Sequence, residues 1–443
     1  MVGLYMRTSG NEKESIFKAE IDEINKKVNK TKEVWCTAHI HTTKESIPVS
    51  LLISVDTKRD YVKDVGDHIF VHMRIPKGLY FRRIMNHRAN LEITLKKKSG
   101  DKVWEQRLKL AISSSVRGLK GSRHETISEN KLDSEGFVDV TGQCVNRFLE
   151  VMVGQIVKAG TYNGVNFKKL VPVIFKEVTD EITVSGMDNK VTVVMEEPSN
   201  NRNYKNLVLK TGIKIMDLPS FLQNKDFGLY NGNVYTFLQM EGKEKKVYIG
   251  SLHNTEVKNK RQLKVLLVPE TKYANYSNTY TSDDTTLKII TSSSDSVYDN
   301  IANLIMNKGQ GIHVPETDGI AKRSLADDGG TPTVNKCALA TRVVNKETPD
   351  NTVKLEYSKP TNNLYKARSS VMERNGMNVM VRWEYSNSDL IFPGMIAYLM
   401  YENGNGKAEI IKGVVHGTQE SINNNKKTAI SMINLYLEGT SRK

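Results

Sequence analysis

Few residues of this chain have the types and spacing that chemistry needs, and each such grouping stops short of a site. His39 and His41 lie two apart on one expected strand and so project from one face, as some metal ligands do. No third ligand follows at a recognisable spacing, and ordinary surface histidines are the preferred reading. Gly404-Asn405-Gly406-Lys407 has the look of a phosphate loop, but Ala408 stands where G-x-x-x-x-G-K-[ST] needs a hydroxyl. Gly309-Gln310-Gly311 follows an expected helix rather than a strand, so it is not a dinucleotide fingerprint. No G-x-S-x-G, H-E-x-x-H or Cys/His nucleophile signature occurs. Cys36, Cys144 and Cys337 are too far apart in sequence for a disulfide framework or a spaced zinc site, and they fit a reducing compartment. A carboxylate pair for glycoside cleavage leaves no linear mark, because its partners need only lie about 5–9 Å apart in space. The sequence therefore assigns no catalytic, cofactor-binding or metal-binding residue, and a scaffold is favoured over an enzyme.

The elements that would carry such residues are those of a large, mostly β protein. At 443 residues, with about 150 per domain as a soft guide, two to four domains are expected, each able to bury a core. The hydrophobic fraction of 38% is low, but the periodicity is regular enough for a folded protein with generous polar loops. No apolar run approaches the roughly 18 residues of a membrane span, and the first residues lack the apolar core of a signal peptide. The expectation is a chain without stable membrane insertion that stays where it is made. The net charge of +14 comes from lysines spread along the chain. Clusters such as Lys96-Lys97-Lys98, Lys243–Lys246, Lys258–Arg261 and Lys426-Lys427 are expected on solvated turns rather than as a polyanion site.

Gly376–Leu437 is the clearest stretch. Met377–Tyr385 alternates as a half-buried strand, Leu390-Ile391-Phe392-Pro393-Gly394 makes a bend, and Met395–Tyr401 runs on extended. Asn403-Gly404-Asn405-Gly406 is a hairpin tip, followed by strands at Glu409–His416 and Thr428–Leu437 around a polar loop. Toward the N-terminus, Ser15–Val28 is expected to be helical, with Phe17, Ile21, Ile24 and Val28 on one face. It suits packing on its own domain, or docking on a neighbouring subunit. Strands are expected at Glu33–His41, Val49–Ile53, His68–Arg74, Leu91–Lys97 and Val103–Ala111, with a short helix at Leu79–Met85. The spacing of Val145, Phe148, Leu149, Met152, Val153, Ile156 and Val157 predicts a core helix within 137–161, capped by Asp139 or Thr141. Asp217 is placed to cap a short helix opening at Leu218-Pro219, and Val234–Gln239, Lys246–Leu252 and Gln262–Val268 extend a sheet. Helices are also expected at Val297–Met306 and Asn363–Asn375, with a linker at Gly309–Asn335.

The order of these features resembles the baseplate hub proteins of contractile-tailed bacteriophages. The most distinctive part is D-x-P-x-F-L-Q (Asp217–Gln223), then F-G-x-Y (Phe227–Tyr230), then a strand ending at Gln239. The series L-x-x-P-G, glycine hairpin and Gly-Val-Val-His-Gly resembles the family's last tube-like domain. G-D-x-I-x-V, P-x-G-x-Y and N-L-x-I-T-L resemble its first. The resemblance covers most of Val34–Glu438 and implies an α+β, mostly β fold: an N-terminal extension with an amphipathic helix (1–32), a first tube-like antiparallel β-domain (33–125), an inserted mixed α/β region with a linker near 309–335 (126–345), and a second tube-like β-domain (346–443). It further implies a virion structural protein with no catalytic residue, a homotrimeric ring that joins the tail tube, or a tube-initiator protein, to the central spike. Other baseplate proteins are implied as partners, with DNA passing through the channel without specific binding. The place would be the virion tail baseplate, and the host cytoplasm during assembly. The basic excess does not suit a DNA-passing pore, so the lysines are expected to face outward. Two rival readings remain: a nucleic-acid-binding module, motivated by +14 and by Tyr80-Phe81-Arg82-Arg83 near Arg88, and a tail-associated cell-wall hydrolase.

Overall fold

The structure, a computed structural model, describes residues 17–24, 33–99, 102–113, 136–182, 190–224, 228–230, 233–241, 244–255, 261–273, 279–292, 294–299, 311–316, 340–343, 352–354, 376–402 and 408–438. The expected helix at 363–375, the hairpin tip at 403–407, Phe227 and Cys337 lie outside these residues. The fold is mostly β, with a large mixed sheet and a few short helices.

Helix α1 (residues 17–24) opens the described chain. Strands β1 (Val34–His41), β2 (Ser46–Pro48), β3 (Leu51–Asp60) and β4 (His68–Pro76) follow, then a helical run from Lys77 to Asn90. Strands β5 (Glu92–Ser99), β6 (Lys102–Ser113) and β7 (Phe137–Asn146) complete the first half. Here the sequence expectation of a helix reaching back toward Phe137 fails. Val138, Val140, Cys144 and Asn146 are buried on one side of an alternating strand, which pairs with both β4 and β6. The helix α2 (Arg147–Gly154) begins only after Asn146, whose side chain accepts from the backbone N–H groups of Phe148 and Leu149 at 2.8 and 3.2 Å. Of the residues with helical spacing, Phe148, Leu149, Met152 and Val153 lie in α2, Val145 lies on β7, and Ile156 and Val157 follow the helix.

The middle of the chain packs α2, β8 (Gly160–Val165), α3 (Phe167–Asp180), β9 (Val191–Met195), β10 (Tyr204–Leu209), α4 (Leu218–Asn224), β11 (Val234–Glu241) and β12 (Glu244–Ser251) around one apolar core. It includes Phe148, Phe167, Phe175, Leu218, Leu222 and Ile249, all of them buried. Strand β13 (Gln262–Leu267) then leaves this region for the large sheet, where it lies parallel to β15 (Thr286–Thr291), itself edged by β14 (Tyr280–Ser282). Next comes β16 (Ser294–Asp299), a strand where a helix from Val297 was expected. Its partner is β20 (Met377–Glu384), so pairing across a long sequence separation overrides the local helical spacing. A separate three-stranded sheet joins β17 (Gly311–Glu316), β18 (Ala340–Val343) and β19 (Thr352–Lys354), so the expected linker contains a paired strand.

The last strands are β21 (Ile396–Glu402), β22 (Ala408–Asn423) and β23 (Thr428–Leu437). Strand β22 runs well past the expected end at His416. Thr418, Glu420 and Ile422 continue its inward face, and the polarity of the first two hides the alternation from a hydrophobic pattern. One edge of β22 changes partner partway along, pairing with β21 over Ala408–Val414 and with β3 over Gly417–Asn423, with a bulge at His416 between. This exchange fuses the first and last β-segments into one sheet. The two segments also share a strand order. In the first half β5-β6-β7-β4-β3 are neighbours in that sequence, every pair antiparallel; in the second half β21-β22-β23-β20-β16 repeat it, again every pair antiparallel. The halves differ outside these five strands, where β1 meets β5 antiparallel but β13 meets β21 parallel.

Candidate functional site

The residues with chemical potential are not brought together. His39 and His41 do share a face of β1, and the His41 ring meets the Thr94 hydroxyl at 2.8 Å. Among the described residues no group of three or more His, Cys, Asp or Glu could hold a metal. Cys36 and Cys144 are buried free thiols, and burial pushes both up to about 12, far from a reactive thiolate. A cleft of about 380 Å³ beside α2 is walled by His41, Glu92, Arg107, Lys109, Arg147 and Glu150. Its charges are mutually paired: Glu92 accepts from Arg107 at 2.5 Å and Arg147 at 2.6 Å, and Lys109 meets Glu150 at 2.5 Å. The aromatic and basic run at Tyr80 offers no stacking platform, because Tyr80 is wholly buried edge-on against Phe81 and Arg83 is paired with Glu45 at 3.0 Å. The Arg88 side chain lies outside the described residues.

What the fold does bring together are three seams between the parts of the chain. The first joins the two β-halves. Arg59 on β3 lies against Asp67 at 3.1 Å and Asp389 at 3.0 Å, and donates to the Ser388 carbonyl at 3.0 Å. Lys97 on β5 reaches Asp389 at 3.0 Å and Glu420 on β22 at 2.7 Å, while Glu420 accepts from the Ser388 N–H at 2.9 Å. Burial works against the charge of Lys97, yet Asp389 and Glu420 hold its ammonium well above the ordinary lysine value. Burial likewise opposes ionisation of Asp389, but Lys97 and Arg59 keep it well below the usual carboxylate range. Burial raises Asp67, with Arg59 opposing. Lys97 was expected on a solvated turn; it follows Ile93 and Leu95 on the inward face of β5, and that two-residue period was the available signal. Lys245, also placed on a turn, is buried with its ammonium 5.0 Å from the centre of the Phe148 ring.

The second seam joins the inserted region to the second β-half, and it is made of the residues that carry the sequence resemblance. The Gln223 side chain bonds both the N–H and the carbonyl of Tyr230, at 2.7 and 2.9 Å. The Tyr230 hydroxyl donates to the Glu196 carbonyl at 2.9 Å. Gln239 donates to the Ile391 carbonyl at 2.9 Å, and the Tyr235 hydroxyl lies 3.1 Å from the Glu196 carboxylate and 3.3 Å from the Pro393 carbonyl. Gly394 has φ +70, and a Cβ there would lie 2.2 Å from the Tyr235 hydroxyl, so glycine is needed twice over.

The third seam is aromatic. His253, just past β12, sits edge-on to Tyr436 of β23 at 4.5 Å, and His416 at the β22 bulge stacks on the same ring at 5.3 Å. The His416 Nε2 lies 2.8 Å from the Leu252 carbonyl. Burial pushes His253 down to about 4, and burial together with His253 pushes His416 down to about 3. Both rings are therefore neutral near pH 7. These seams position whole segments rather than a reacting group.

No family model matches the chain, and no curated protein matches it. Among solved structures, the tail protein from Neisseria meningitidis MC58 aligns with a TM-score of 0.44 at 9% identity, covering 91% of this chain and 96% of that one. The prophage MuSo2 43 kDa tail protein from Shewanella oneidensis aligns with a TM-score of 0.49 at 9% identity, covering 90% and 98%. The E. coli c3393 protein, described as a component of the type VI secretion system with structural similarity to the T4 bacteriophage tail proteins gp27 and gp5, aligns with a TM-score of 0.41 at 7% identity, covering 91% and 77%.

Proposed function

We propose that this chain is a virion structural protein, the central hub of a phage-like tail baseplate, working as a homotrimeric ring between tail tube and central spike. The observation that carries the reading is the repeated antiparallel order, β5-β6-β7-β4-β3 and β21-β22-β23-β20-β16. Two versions of one five-strand unit in a chain give three copies six similar positions, which is what an adaptor between a six-fold tube and a three-fold spike requires. On this reading the tube-like units are the two β-halves; β7 (Phe137–Asn146) and β16 (Ser294–Asp299) carry them beyond the expected bounds of 33–125 and 346–443, and the insertion is what lies between these two strands. The resemblance of Asp217–Gln223 and Phe227–Tyr230 to hub proteins supports the same assignment, since Gln223 and Tyr230 hold each other and Tyr230 bonds Glu196 at the second seam. Among the described residues β2, β14 and β16 are edge strands of the large sheet, and ring closure would pair or cover such edges. The partners are then the tube or a tube-initiator protein, the spike and other baseplate proteins, with DNA passing through the ring without specific binding. The chain acts in the tail of the particle and in the host cytoplasm during assembly, as a scaffold and not an enzyme.

The test is the mass of the native protein, and of the ring in a particle reconstruction. Three copies per ring, with the two five-strand units alternating around the axis, are expected. Six copies in one ring, or a single copy on the axis, rejects the hub. Incubation with peptidoglycan is expected to release no sugar or peptide product.

A further inference from the structure

The cleft of about 380 Å³ beside α2 belongs to none of the three seams, and its walls come from both the first β-half and the inserted region. Its floor is a solvent-side row of the sheet. His41 on β1 pairs across to Glu92 on β5, which pairs across to Lys109 on β6, and Arg107 lies two residues before Lys109 on the same face. Arg147 and Glu150 of α2 rise beside this floor, and Thr43 and Asn90 complete the lining. Lys109 meets Glu150 at 2.5 Å. Glu92 is shared by both arginines, accepting from Nε of Arg107 at 2.5 Å and from Nη1 of Arg147 at 2.6 Å.

This pairing leaves most of the donors unused. A guanidinium carries five N–H groups in a fixed plane, and among the described residues Arg107 and Arg147 each bond Glu92 alone. Their side chains are 57% and 40% exposed, so the remaining N–H groups are open to a ligand in the cleft. Glu92 clamps both forks, so little side-chain freedom is lost when a ligand arrives. Charge points the same way. Burial and the nearby Arg107 hold His41 below its ordinary value, so the cations Arg107, Lys109 and Arg147 face two carboxylates. Two planar forks match a group with several acceptor oxygens, and a phosphate monoester brings three, with a charge of about −1.5 to −2 at pH 7. The volume falls in the range of small-molecule pockets, about 300–1,000 Å³, and exceeds what a bare oxyanion fills. Thr43 and Asn90 supply a hydroxyl and an amide for a polar remainder. We propose that this cleft binds a small phosphate monoester of the size of a sugar phosphate, its phosphate held between Arg107 and Arg147 and its hydroxyls toward Thr43 and Asn90. Bound there, the ligand links β6 of the first half to α2 of the inserted region.

The test is calorimetric titration of the full-length protein with ribose 5-phosphate, with ribose, and with a single-stranded oligonucleotide. One ribose 5-phosphate per chain, saturating below about 10 mM, and no heat of binding from ribose are expected. Arg107→Gln and Arg147→Gln should each weaken binding by about tenfold or more, with the thermal midpoint kept because both side chains reach solvent. Arg147→Lys keeps the charge but not the fork, and should weaken binding comparably. Arg74→Gln removes a similarly exposed arginine, paired with Asp139 outside the cleft, and should bind as wild type. Absence of saturable binding overturns the site. So does an equal loss in Arg74→Gln, or no loss in Arg147→Lys, since net charge alone would then draw the anion. An oligonucleotide that binds more tightly than ribose 5-phosphate, through the same two arginines, overturns the small ligand in favour of a nucleic-acid backbone. A wild-type monomer that binds ribose 5-phosphate keeps the site and rejects only the ring.

Discussion

Lys97 is held between Asp389 and Glu420 with its side chain 8% exposed, and such a pair is weak evidence of net stability but costly to break. Removing the cation leaves Asp389 to Arg59 and leaves the buried Glu420 carboxylate with the Ser388 N–H but without its counter-charge. Lys97→Met is therefore expected to lose about 3–5 kcal/mol in urea unfolding. Lys96→Met, whose ion pair with Glu105 is half-exposed, should change stability by no more than about 0.5 kcal/mol. Equal effects of the two changes would show that the first seam does not hold the halves together. The histidines at the third seam give a prediction in pH. His253 and His416 sit at about 4 and about 3 in the fold, below the ordinary 6.5, so the unfolded chain takes up protons first as pH falls. Their contribution is complete above about pH 6.5 and is lost progressively toward pH 3. The urea midpoint should fall over that window, and His416→Gln, which keeps a donor for the Leu252 carbonyl, should flatten part of the slope. A midpoint that does not move between pH 6.5 and 4 rejects this account.

At the scale of the element, β22 does most to unite the fold. It pairs with β21, β23 and β3, and Gly417 lies so close to β3 that a Cβ would come within 2.5 Å of the Arg59 carbonyl oxygen. Its partner β23 supplies Ile433, Leu435 and Leu437, all wholly buried in the core of the second half. Leu435→Asp buries an unpaired carboxylate there and should cost several kcal/mol, enough to unfold this half and, on the proposed ring reading, to abolish ring closure. Retention of wild-type mass and thermal stability by that variant would contradict the role given to β23. The bend before β21 makes a subtler prediction. Gly394→Ala meets both a left-handed backbone and the Tyr235 hydroxyl, so a loss of about 1–3 kcal/mol is expected. Because the clash lies at the second seam, hydrogen exchange should quicken on β11 before it does on β4 or β7.

For the whole molecule, the repeated strand order lets one chain offer two similar faces, while the first seam ties the two halves to each other and the other two tie the second half to the inserted region. The basic excess is also modified by folding. Lys97, Lys245 and Lys288 are buried, and many surface lysines are paired with carboxylates, among them Lys109 with Glu150 and Lys427 with Glu33. The net charge of +14 already counts these carboxylates, so pairing does not reduce it but makes the field of the folded chain more local. Weak DNA retention with a shallow salt dependence is expected in filter binding. A steep dependence equivalent to several released counterions would instead support a nucleic-acid-binding module.

Local pattern was enough to establish the mostly β character, several strand positions and the Gln223–Tyr230 segment as distinctive, because alternation and turn chemistry are properties of neighbouring residues. It was not enough for β7, β16 or the second part of β22. In these the deciding partner is distant in the chain: β4 and β6 for β7, β20 for β16, and β3 for residues 417–423. The same holds for the seams. The inward position of Lys97 could be read from Ile93 and Leu95, but not that Glu420, 323 residues away, would meet it. Composition and spacing determined which residues could face inward; only tertiary pairing decided which buried charges had partners, because a charge is kept in a core by what lies across from it, not by what adjoins it in sequence.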